Sequence, residues 1–177
     1  MNLPNALSLV RIFLIPVLVV FLIVVPRPYN LTAAAVFLAA VLTDWLDGRI
    51  ARSMRQVTTL GKLLDPVADK LLIAASLISL VEVGRVPAWM VVLIVGRDLA
   101  ITGLRGIAAT QNVVIQASDF GKATMTAEVI AVALLILNWP MFSMPLGKAL
   151  LAVAILLSLA SGVDYFQKFW RRIDLAK

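Results

Sequence analysis

The chain has 177 residues, 62% of them hydrophobic, and a mean hydropathy of +0.98, which excludes an ordinary water-soluble globular domain. It has no Cys and no His, which removes disulfides, thiol nucleophiles, imidazole bases and the commonest zinc ligands. The formal net charge of +6 comes without aromatic–basic clusters or a nucleic-acid motif, so it reads as the Lys/Arg bias of a membrane protein.

Six apolar stretches follow one another, each near the roughly 20 residues that cross a bilayer core. The first covers about 6–25, with Asn5 just before it as a helix N-cap and Pro16 inside it as a possible kink. Pro26, Pro28 and Asn30 separate it from a second helix at about 31–52. A third covers about 60–81, closed by Glu82, Gly84, Arg85 and Pro87. The fourth covers about 87–108, the fifth about 121–138, and the sixth about 146–167 after Trp139, Pro140 and Pro145. A cleaved signal peptide explains none of the later stretches. The expected fold is therefore all-α: one membrane domain over 1–177 with six transmembrane helices.

Charge then orients the helices. Arg49, Arg52, Arg55 and Lys62 flank the connection between helices two and three, and Lys168, Arg171, Arg172 and Lys177 form the tail. The other side keeps Arg27, Arg85 and Lys148. This bias places both termini at the cytoplasmic face of a multi-pass membrane protein.

Four aspartates stand at that same face. Asp44 and Asp47 are spaced i,i+3, and Asp65 and Asp69 i,i+4, so each pair shares one helix face. Carboxylates near bilayer depth are costly and mark function by default. Four together repel and drift toward protonation unless a cation neutralises them. An oxygen-only donor set suits hard ions such as Mg²⁺ or Mn²⁺, and four carboxylates suffice for two of them. Gly48 and Gly61 let a nucleotide approach the backbone, and Arg52 can fork onto phosphate oxygens. Singly, the glycines also read as helix-packing residues, Arg52 as a cytoplasmic anchor, and the aspartates as an ion path through a divalent-metal transporter.

The residues Asp44, Asp47, Gly48, Ala51, Arg52, Gly61, Asp65 and Asp69 fit D-x-x-D-G-x-x-A-R, eight residues, then G-x-x-x-D-x-x-x-D. In this the chain resembles the CDP-alcohol phosphatidyltransferase family. The resemblance implies a six-helix membrane fold, usually homodimeric, that moves a phosphatidyl group from a CDP-linked lipid to an alcohol and releases CMP. It implies that Asp44, Asp47, Asp65 and Asp69 hold two divalent ions and that Asp69 is also the general base. Gly48, Arg52 and Thr58 would contact the CDP part, with Asn5 near the CDP-lipid headgroup.

Outside that segment, NLPNALSLVR at 2–11, GRDLAITGLRG at 96–106, FGK at 120–122 and SGVDYFQKFW at 161–170 resemble the phosphatidylglycerophosphate synthase branch of the family. That branch joins CDP-diacylglycerol to sn-glycerol 3-phosphate. An anionic acceptor needs cations, and Arg97, Arg105 and Lys122 are placed to supply them. Arg97 and Arg105 lie about two turns apart on one helix face. The same three residues also read as anchors or as partners of Asp98 and Asp119, although adjacent helix positions such as Arg97 and Asp98 are not expected to face each other. Many relatives carry a second basic residue where this chain has Thr124. Phosphatidylglycerol, inositol phosphate and serine remain alternative acceptors. Glu128 and Asp164 either satisfy neighbouring helices or, for Glu128, lie near the acceptor.

Overall fold

The computed structural model describes residues 3–25, 30–54, 59–110, 119–139 and 141–174, with side chains described except at 3–7, 45–54, 59–65, 119–120, 122 and 171–174. The protein is all-α, with α1 Leu3–Ile23, α2 Leu31–Met54, α3 Thr59–Glu82, α4 Ala88–Thr110, α5 Asp119–Leu137 and α6 Ser143–Asp174. Each expected helix is present. Two ends differ from expectation. α1 begins at Leu3, so Asn5 lies inside its first turn and is not an N-cap. α6 runs on to Asp174, because the sequence beyond residue 167 loses apolarity without acquiring any helix-breaking residue.

The breaks between helices have local causes. Asn30 is buried, its Oδ1 accepts the Ala33 N–H at 3.1 Å, and its Nδ2 donates to the Phe21 carbonyl at 2.7 Å. It caps α2 while tying that helix to the end of α1. Gly84, at φ 71°, takes the left-handed position past α3, and the Arg85 N–H closes back on the Leu80 carbonyl at 2.8 Å. The Arg85 guanidinium donates to the last carbonyls of α5, Leu135 at 3.2 Å and Ile136 at 2.9 Å. These carbonyls have no helical partner of their own, so the cation satisfies them and complements the helix dipole.

The six helices alternate in direction, and this sorts the bundle into two ends. The apolar core is built from Leu18 and Leu22 on α1, Phe37 on α2, Leu77 and Leu80 on α3, Ile94 on α4, Val132 and Leu135 on α5, and Leu151 on α6. These are the later halves of odd helices and the earlier halves of even ones. The opposite halves carry Arg11, Asp44, Asp69, Arg105 and Tyr165, with Arg97 and Glu128 near the middles of their helices. One end is therefore packed with aliphatic side chains and the other is polar. Gly147 lets α6 close on α5, since a Cβ there would meet Leu135 Cγ at 2.9 Å.

The neighbours matter for the site. α1 packs against both α2 and α3, α5 against α6, and α4 leans on α6. Among the described residues α2 and α3 touch each other only slightly. α1 packs between the parts of α2 and α3 that carry Asp44 and Asp69 and bridges these two aspartates. Phe13, Leu38, Ile78, Val92, Leu156 and Val163 point outward from the bundle. Within α6, Ser143–Trp170 is long and apolar enough to cross a membrane, and shorter apolar stretches occupy Ser8–Ile23, Leu31–Asp44 and Ala123–Leu137.

Candidate active site

The polar end holds two connected features. The first is a cation between two carboxylates. Arg11, on α1, is completely buried, and its Nη1 lies 2.8 Å from Asp44 Oδ1 and 3.4 Å from Asp69 Oδ1. Two aspartates from different helices thus converge on one nitrogen. Their side chains keep 32% and 26% of their surface exposed, so water reaches the pair although it does not reach Arg11. A fully buried guanidinium is tolerable only with such partners. Arg11 was missed in the sequence. The signal was there, since it is the one charged residue in an otherwise apolar first span, and a charge at that depth is functional by default.

Asp47, Gly48 and Arg52 follow Asp44 on α2, Gly61 and Asp65 precede Asp69 on α3, and Asn5 lies on α1; their side chains lie outside the described residues. Thr58 also lies outside them. Among the described residues no group of three acidic side chains is placed to hold a metal ion. The donor chemistry nonetheless fits a hard cation. Asp44 and Asp69 present carboxylate oxygens to a single point, and a positive group already stands beside them there.

The second feature is a cavity of about 270 Å³, just below the roughly 300–1,000 Å³ of drug-sized pockets. It is bounded by Asp69 and Lys70 from α3, Arg97 and Arg105 from α4, and Glu128 and Tyr165 from the last two helices. Asp69 belongs to both features, so the carboxylate pair and the cavity share a wall.

The cations are held from several sides. Arg97 Nη1 donates to Asp98 Oδ1 at 2.7 Å and its Nη2 donates to Ser161 Oγ on α6 at 3.0 Å. The expectation that Arg97 and Asp98 would not meet is corrected. The spacing rule describes where backbone positions point, and the long arginine stem bends across that angle. The Arg105 guanidinium lies 5.5 Å from the centre of the Tyr165 ring, a cation–π distance. Lys70 Nζ donates to the Asp98 carbonyl at 3.1 Å and also contacts Thr102 Oγ1. Lys122 opens α5, but its side chain is outside the described residues; its neighbours Gly121 and Thr124 line the cavity. Sequence reasoning missed Lys70, Ser161 and Tyr165, which reach the cavity only through tertiary packing. Asp164 pairs with Lys168 at 2.7 Å in an exposed i,i+4 contact and takes no part in the cavity.

The acidic side chains of the cavity differ in commitment. Asp69 faces Arg11 and Asp98 faces Arg97. Glu128 is buried, and its Oε1 finds no hydrogen-bond partner among the described residues; the same holds for Tyr165 Oη.

Residues 1–160 match the family model described as CDP-alcohol phosphatidyltransferase. The chain is 41% identical to a Bacillus subtilis protein named CDP-diacylglycerol–glycerol-3-phosphate 3-phosphatidyltransferase, with 97% of each chain covered. It is 38% identical to a Mycobacterium tuberculosis protein named probable phosphatidylglycerophosphate synthase, over 97% of this chain and 83% of that one. An Arabidopsis thaliana protein, named as a second CDP-diacylglycerol–glycerol-3-phosphate 3-phosphatidyltransferase, is 37% identical over 96% of this chain and 80% of its own length.

Proposed function

The chain belongs to the CDP-alcohol phosphatidyltransferase family, and we infer that it transfers a phosphatidyl group from CDP-diacylglycerol to sn-glycerol 3-phosphate, yielding phosphatidylglycerol phosphate and CMP. The relatives' names support the acceptor. The observation that carries the reading on this chain is Asp69, a carboxylate facing Asp44 on one side and a cation-lined cavity on the other.

In this reading the acceptor's phosphate lies toward Arg97, Arg105, Lys70 and Lys122, and its primary hydroxyl toward Asp69. Asp69 removes the proton from that hydroxyl. The oxygen forms a bond to the phosphorus that bears diacylglycerol. The bond from this phosphorus to the bridging oxygen breaks, and CMP leaves with the electron pair. Arg52, Gly48, Gly61, Thr58 and Asn5 hold the CDP-lipid. The family typically uses divalent metals. Asp44, Asp47, Asp65 and Asp69 are the oxygen donors for two of them, Mg²⁺ or Mn²⁺, which when bound neutralise charge developing on the pyrophosphate.

The apolar exterior fits a six-span protein whose lipid substrate enters sideways, while the polar end faces the cytoplasm. A homodimer is the assembly this family reading carries with it.

Purified protein in detergent, given CDP-diacylglycerol, radiolabelled glycerol 3-phosphate and Mn²⁺ or Mg²⁺, is expected to release CMP and label the lipid. Chelation should abolish both, and added metal should restore them. Inositol phosphate, serine and phosphatidylglycerol serve as competing acceptors, and preference for any of these would overturn the assignment. Arg97→Ala and Arg105→Ala should each raise the KM for glycerol 3-phosphate about 10-fold, the scale of one charge-assisted hydrogen bond. An unchanged KM in both would remove them from the acceptor site.

A further inference from the structure

We propose that Glu128 recognises the non-reacting hydroxyl of the acceptor, so that the enzyme selects a polyol phosphate over a phosphate ester with a single hydroxyl. This rests on the acceptor reading above and adds a specificity residue to it.

The argument is one of commitments. Three carboxylates line the cavity: Asp69, Asp98 and Glu128. Asp69 faces Arg11 and the reacting hydroxyl, and Asp98 is occupied by Arg97 at 2.7 Å. Glu128 is 5% exposed, and among the described residues its Oε1 has no hydrogen-bond partner. Buried polar atoms in folded proteins are nearly always satisfied, and each exception needs an explanation. Here the atom belongs to a residue lining a cavity, so its partner can be whatever enters. Tyr165, also 5% exposed, lines the same cavity with a hydroxyl in the same condition.

The chemistry of that partner follows from the remaining walls. Lys70, Arg97 and Arg105 disfavour an ammonium group and favour an anion. Glu128 disfavours a second anion and asks for a neutral hydrogen-bond donor. A ligand that meets both demands carries a phosphate and a free hydroxyl. Glycerol 3-phosphate has the phosphate, one hydroxyl for Asp69, and one hydroxyl left over. The leftover hydroxyl can donate to a carboxyl oxygen and accept from a phenol, two cavity groups that have no hydrogen-bond partner among the described residues.

The test compares sn-glycerol 3-phosphate with 1,3-propanediol monophosphate, which keeps the primary hydroxyl and the phosphate and lacks the middle hydroxyl. The full-length wild type should favour glycerol 3-phosphate in kcat/KM by about 10- to 100-fold, the usual consequence of leaving a buried polar group unanswered. Glu128→Leu keeps the volume and removes the acceptor. It should lose a similar factor on glycerol 3-phosphate and almost nothing on the analogue, so that discrimination collapses. Glu128→Gln keeps a carbonyl oxygen and should retain most of the discrimination.

Equal losses on both substrates in Glu128→Leu would make Glu128 a structural residue and overturn the proposal. So would a wild type that uses both acceptors equally well, a result that needs no variant to fold. If the wild type releases no CMP with glycerol 3-phosphate but does so with another alcohol, the acceptor reading itself fails and this proposal falls with it.

Discussion

Asp69→Asn is expected to lower CMP release by at least about 1,000-fold while the helix bundle stays folded. Asparagine keeps the shape of the side chain and loses its charge. At neutral pH it neither accepts a proton from a hydroxyl nor competes well for a hard cation. General-base catalysis alone contributes about 100- to 10,000-fold, and weakened metal retention adds to the loss. The chain offers no His or Cys to take over. The fold should survive because Arg11 keeps its shorter contact, 2.8 Å to Asp44. The measurement is initial-rate CMP release at saturating substrates, alongside a thermal melt. Activity within 10-fold of wild type would move the base to another residue.

Arg11→Met should destabilise the metal-free protein by about 2–3 kcal/mol, somewhat less than the roughly 3–5 kcal/mol for breaking a fully buried pair, because water reaches both carboxylates. For a chain of this size that is a fall of roughly 5–10 °C in Tm. Methionine preserves much of the apolar stem, so the lost term is chiefly the charge. Asp44 and Asp69 then lose the guanidinium between them. Mn²⁺ bound between carboxylates would supply a cation, and ligand binding to the folded state raises stability by mass action. The Mn²⁺-induced rise in Tm should therefore be larger in Arg11→Met than in wild type. Equal rises would reduce Arg11 to a packing role.

Much of the architecture was legible because its signals are local. Asn30 starts α2, and Gly84 with Pro87 separates α3 from α4. Asp44 and Asp69 stand on helix faces that spacing alone defines. What was not legible depends on distance along the chain. Arg11 is 33 residues from Asp44 and 58 from Asp69, beyond any periodicity argument. Its pairing requires knowing that α1 packs against both α2 and α3. Lys70 sits next to Asp69 in sequence, yet its nitrogen reaches the Asp98 carbonyl on α4. Tyr165 was visible only as part of a resembling stretch, and its place under Arg105 needed the packing of α4 on α6. The Arg97–Asp98 contact shows where a spacing rule fails, since a flexible side chain can reach a position that its Cβ does not face.

The acidic pair and the arginines of the cavity are braced by different helices, although the two features meet at Asp69 on α3. Asp44 and Asp69 are braced by α1, whereas Arg97 is braced by Ser161 and Arg105 by Tyr165, both on α6. If the proposed roles hold, descendants of such a protein are free to rewrite the α4–α6 seam, trading one incoming alcohol for another, without touching the aspartates. Diversification of lipid headgroups then becomes a matter of drift along the α4–α6 boundary and at Glu128 beside it, and experimental retargeting should begin at Glu128, Ser161 and Tyr165 rather than at the aspartates.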